Sequence, residues 1–122
     1  MRAELKRLHS PDVENVASYV PDRGGDFGFL LQVMAGPQGS EGEESFDVFV
    51  CTPDWLRRNR SGTDIIIGRH NLIVFEYNYQ RLHSFLSEYC SKCSGATWQD
   101  VAEQLSRLGK WEFEDYKPSS TS

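Results

Sequence analysis

The chain has 122 residues, 39% of them hydrophobic and 12% aromatic, with 18 acidic against 13 basic side chains and a formal charge of −5. That length supports one core without staples, and the apolar content is that of a folded chain. The acidity argues against nucleic-acid binding, which needs clustered Lys and Arg, and suits the chain to a basic partner.

The opening "MRAELKRLHSPD" lacks the apolar stretch of a secretory leader. No apolar run approaches the roughly 20 residues of a membrane span, so the expected location is cytoplasmic, with no membrane partner. Arg2 to His9 alternate weakly, with Ala3, Leu5 and the stem of Arg7 on one side, the pattern of an edge strand. The next stretch, to Asp26, carries Pro11, Pro21 and the Gly24–Gly25 pair and reads as a loop tacked down by Val13, Val16 and Tyr19. "FGFLLQVMA" (Phe27 to Ala35) is apolar on both faces, as a central strand is. "GPQGSEGEE" is a turn-rich loop, and "SFDVFVCT" (Ser45 to Thr52) completes an antiparallel hairpin.

Thr52 followed by Pro53 opens a short helix over "TPDWLRRN", and "RSGTD" is a loop. Asn71 to Tyr77, β-branched and aromatic, is the next expected strand. The period then changes. Leu82, Phe85, Leu86, Tyr89, Cys90 and Cys93 follow the i, i+3, i+4 spacing of a helical stripe, which Gly95 can end in the left-handed conformation. Thr97 and Asp100 form a capping box, Trp98, Val101, Ala102, Leu105 and Leu108 form a second stripe, and Gly109 stops it. "KWEFEDY" returns to period two, with Trp111 and Phe113 inward and Glu112, Glu114 and Tyr116 outward. Trp98, Leu105, Trp111 and Phe113 are expected in the core. The expected fold is α+β: an antiparallel sheet of four to five strands with two amphipathic helices packed on one face. The domain is expected over 1–116, with a frayed tail at 117–122.

No pattern of catalysis or cofactor binding stands out. The three cysteines are too few for a four-ligand zinc site, and Cys90 and Cys93 sit on an apolar stripe, so no metal and no cofactor are expected. Cys51 lies inside an apolar strand, where burial makes a thiol inert. The Gly-rich loop lacks the Lys and Ser/Thr of a phosphate-binding loop and carries Glu41, Glu43 and Glu44 instead. One asymmetry goes further. From Gly24 to Trp55 there is no Lys or Arg, yet Asp26, Glu41, Glu43, Glu44, Asp47 and Asp54 are all acidic.

The blocks "AELKRLHSPDVENVASYVP", "DFGFLLQVMAGPQGSEGEESFDVFVCTPDWL" and "LSRLGKWEFEDY" resemble the immunity protein 8 family of bacterial polymorphic toxin systems, in order and up to about Tyr116. The resemblance implies a small cytoplasmic protein that binds a cognate secreted toxin domain and protects the producing cell. It supplies no catalytic residues. The charge pattern places the toxin-binding surface at Glu41, Glu43, Glu44 and Asp47 with Glu112, Glu114 and Tyr116. It acts by occluding the toxin's active cleft, which is basic if the toxin is a nuclease. The rival readings are a small enzyme using Cys51 or the carboxylates Glu76 and Glu112, and a structural oligomer.

Overall fold

A computed structural model describes residues 1–59 and 65–113. Glu114, Tyr116, the tail expected at 117–122 and the whole "RSGTD" loop lie outside the described residues. The centre is a long antiparallel hairpin. Strand β2 (Gly28–Pro37) pairs with β3 (Glu44–Cys51) in register from Gly28 opposite Cys51 to Ala35 opposite Glu44. Strand β1 (Ala3–His9) lies antiparallel on the other side of β2, with a register shift between Leu5 and Arg7 that breaks its alternation.

Two short strands share the far edge of β3. Strand β4 (Asn71–Ile73) runs parallel to Phe49–Cys51, and β5 (Lys110–Trp111) runs antiparallel beside Phe46 and Asp47. The result is a five-stranded, open, mostly antiparallel sheet in an α+β fold. The one parallel pair follows from connectivity: the chain crosses from β3 to β4 through helix α1 (Pro53–Asn59), and a crossover is what parallel strands require.

Alternation decides which face is covered. Phe29, Leu31, Val33 and Ala35 of β2 and Phe46, Val48 and Val50 of β3 are buried. They meet Leu82, Leu86 and Cys90 of α2 (Tyr79–Ser91) and Val101, Ala102 and Leu105 of α3 (Trp98–Leu105) in one apolar cluster. Two helices therefore pack on one face, as the pattern predicts. Helix α1 touches the opposite face, where Trp55 packs on Phe49 with ring centroids 4.8 Å apart. The 10–26 segment is tied to the core as expected. Val13 and Val16 are buried, Tyr19 packs edge-on against Phe29 and Tyr77, and the Tyr77 hydroxyl donates to the Val16 carbonyl at 2.6 Å.

Both main helices are capped locally. The Asn78 Oδ1 accepts from the Arg81 N–H at 3.0 Å. Thr97 Oγ1 accepts from the Asp100 N–H at 3.2 Å, and Asp100 Oδ2 accepts from the Thr97 N–H at 3.3 Å, which is the predicted capping box.

Four local expectations are corrected. Helix α2 ends at Ser91 with Lys92 as a right-handed cap, so Gly95 is not its left-handed terminator. Gly95 answers a close approach instead: a Cβ there would lie 2.7 Å from the Asp100 Cβ. Helix α3 ends at Leu105, before Gly109, whose N–H donates back to the Leu105 carbonyl at 3.2 Å. The strand expected over Asn71 to Tyr77 stops at Ile73, because the chain leaves the edge of β3 after the Val74 N–H donates to the Cys51 carbonyl at 2.9 Å. Phe113 is 40% exposed, because β5 ends at Trp111 and a turn carries Phe113 to the rim, edge-on to Trp111 with centroids 5.7 Å apart.

Candidate functional site: the acidic corner

The hairpin tip and β5 meet at one corner of the sheet. Gly36 sits so close beneath Gly42 that a Cβ would lie 2.1 Å from the Gly42 carbonyl oxygen, and Gly42 itself adopts φ 102°. These constraints fold the tip compactly and lift Glu41 into solvent.

β5 then brings the second acidic stretch alongside. Glu112 Oε1 accepts from the Ser45 N–H at 3.1 Å, and the Glu112 N–H donates to the Ser45 carbonyl at 3.3 Å. The two acidic segments, 67 residues apart at Ser45 and Glu112, are thus neighbours. No local sequence pattern indicates this contact, since it depends on β5 choosing the edge of β3.

The predicted acids have different local duties. Glu43 Oε1 pairs with Arg7 Nε at 2.7 Å, an exposed pair worth little to stability. Glu44 extends from the inner-face row of β3, and its Oε1 accepts from the indole N–H groups of both Trp98 and Trp111, the latter at 3.3 Å. Asp47 belongs to the opposite face, where its Oδ1 accepts from the Ser45 hydroxyl at 2.6 Å and Lys110 lies across from it in register. Glu41 and Glu112 are exposed at the corner. Two lysine contacts brace the base of the tip: Lys6 Nζ donates to the Ser40 carbonyl at 2.7 Å and to Glu4 Oε1 at 2.9 Å. The Lys6 hydrogen bond, with its charge, holds the Glu4 carboxyl below the usual range.

The groups of the rival enzymatic reading are dispersed. Cys51 is fully buried on β3. Glu76 pairs with Arg81 at 3.9 Å beside an apolar groove whose lining does not include Glu112. His70 takes a left-handed backbone (φ 65°) at the turn before β4, and its Nε2 lies 2.7 Å from the Ser106 carbonyl oxygen, a structural tie to the α3–β5 connection. Burial pushes the Cys90 thiol up to about 12 and raises that of Cys93, which suppresses the reactive thiolate. Among the described residues no group of three or more His, Cys, Asp or Glu converges as a metal site, and no helix is long and apolar enough to cross a membrane.

The sequence pattern missed one surface. Phe85 lies on the apolar stripe of α2 yet is half exposed, and with Ile73 and Phe75 it rims a groove of about 540 Å³ between β4 and α2. Its only sequence signal was an aromatic at a helical spacing that also describes the core.

Among known proteins, the family model described as immunity protein 8 matches residues 3–116. No curated protein and no solved structure matches the chain.

Proposed function

We propose, from the premise that this chain belongs to the immunity protein 8 family, that it neutralises one cognate secreted toxin by covering the toxin's active site with its acidic corner. Family membership supports the toxin-neutralising immunity function itself. The observation that carries the finer reading is the adjacency of the hairpin tip to Glu112 through the β3–β5 pairing.

In this reading the 1–116 unit is a binding module without catalysis of its own, acting in the cytoplasm of the producing cell. Glu41 and Glu112 meet the basic cleft of the toxin directly. Glu43 exchanges Arg7 for a toxin cation, and Glu44 keeps the aromatic floor in place. Glu114 and Tyr116, which lie outside the described residues, are assigned to toxin binding from the charge pattern of the sequence alone. A cleft that holds phosphates is basic, so a nuclease is the toxin class best matched by an acidic inhibitor.

The test is Glu41→Lys with Glu112→Lys, assayed against the toxin domain encoded beside this gene at low and high salt. Exposed charges act mainly on encounter, so association should slow by roughly tenfold or more at low salt and approach wild type at high salt. A folded double variant with unchanged association at both salt levels would place the interface elsewhere.

A further inference from the structure

The acidic corner also carries an apolar group. Phe113 is 40% exposed and follows directly on Glu112, itself exposed. Phe75 and Phe85 are the other exposed phenylalanines among the described residues, and both line the groove between β4 and α2. The mounting of Phe113 is firm. Just before it, Glu112 grips Ser45 twice, through its backbone N–H at 3.3 Å and its Oε1 at 3.1 Å. The Phe113 ring stands edge-on to Trp111 with centroids 5.7 Å apart, and Trp111 lies nearly parallel to the buried Phe46 at 6.3 Å. The Trp111 indole is held in turn by Glu44. Phe113 is thus the outermost ring of an aromatic column that rises from the core.

We propose that Phe113 is the anchor residue of the toxin interface, and that the toxin presents an apolar socket beside its basic cleft. The proposal rests on the acidic-corner reading and adds what holds the complex together once formed. The first reason is that the acids alone grip weakly. Glu43 is paired with Arg7, Glu44 holds two indoles and Asp47 accepts from Ser45. The exposed Glu41 and Glu112 steer encounter, but exposed charges are screened over about 8 Å at physiological salt and mostly set the association rate.

The second reason is pre-organisation. A ring already seated on Trp111 loses little freedom when a partner closes over it, so more of its burial appears as affinity. The third is the arrangement: an aromatic side chain ringed by charged groups is the plan of an interface hot spot. An aromatic side chain buries roughly 150–250 Å², so the exposed two-fifths of Phe113 leaves roughly 60–100 Å² to cover. At the usual hydrophobic coefficient that area corresponds to roughly ten- to fiftyfold in affinity.

The experiment measures association and dissociation separately, by surface plasmon resonance, on the toxin domain encoded beside this gene, at low and high salt. Phe113→Ala should keep the far-ultraviolet spectrum, associate within about twofold of wild type and dissociate at least about tenfold faster at both salt levels. Phe113→Leu, which retains an apolar side chain and guards against a folding defect, should fall between the two. Glu41→Lys with Glu112→Lys should do the converse, slowing association at low salt. Unchanged dissociation for Phe113→Ala overturns the anchor; if the charge variant still associates slowly, the acidic-corner reading survives that loss. Faster dissociation for Phe113→Ala beside a charge variant that behaves as wild type supports the anchor and removes the electrostatic reading. If Phe113→Ala acts only on association and only at low salt, Phe113 is not an anchor.

Discussion

Replacing Glu44 with Ala removes the acceptor that the indoles of Trp98 and Trp111 share. Hydrogen bonds to a charged group contribute about 1.5–3 kcal/mol each, but one oxygen serves both donors here, so the two are not additive. Trp98 is half-buried, and water can replace the lost carboxylate there. Trp111 is only 8% exposed and stacks on Phe46, so its N–H would be left without a partner and bear the desolvation cost. The expected destabilisation is about 2–3 kcal/mol for Glu44→Ala. Glu44→Gln keeps an acceptor without the charge and should cost about 1 kcal/mol. Urea unfolding followed by far-ultraviolet circular dichroism gives both values. A cycle of Glu44→Gln with Trp111→Phe should show coupling near 1 kcal/mol. Glu44→Ala within about 0.5 kcal/mol of wild type, the range of an ordinary surface change, would refute the idea that this carboxylate anchors the aromatic floor. The same variant bears on function, since a Glu44 phenotype in toxin binding must be separated from a loosened corner.

Phe46→Ala should cost about 3–5 kcal/mol, because Phe46 is fully buried against Trp111. Phe113→Ala should cost under about 1.5 kcal/mol, and equal costs for the two in denaturant titration would contradict the rim position of Phe113. Alkaline stability is the other expectation. Burial raises the Cys90 thiol from 9.0 and the Tyr77 phenol from 10.0, each to about 12. The unfolded chain therefore releases these protons first. Their stabilisation is intact below about pH 9 and is lost as pH rises toward about 12. Urea midpoints measured across that window should fall for wild type and fall less steeply between about pH 9 and 10 for Cys90→Ala; a flat wild-type profile would contradict it.

What the sequence determined by itself is what depends on near neighbours. The apolar runs Phe27 to Ala35 and Ser45 to Thr52 mark two strands, and the first, apolar on both faces, marks a central one; which row of each is buried is decided by the helices packed on one face. The capping box at Thr97 and Asp100 closes within one turn and was legible from three residues of spacing. The glycine-rich loop between two apolar runs marks the hairpin because its strands are adjacent in chain. Edge choice is a different kind of information. β4 runs parallel because α1 intervenes, and β5 takes the neighbouring stretch of the same edge, contacts separated by tens of residues. Those placements bring Glu112 to Ser45 and assign the Glu44 carboxylate to two indoles, while Glu41 is exposed, so charge along the sequence could nominate acidic positions but not sort the described ones by local role. Phe85 shows the limit in one residue. A helical stripe records which side of α2 is apolar, and only tertiary packing decides that Leu82 and Leu86 are covered while Phe85 is half exposed.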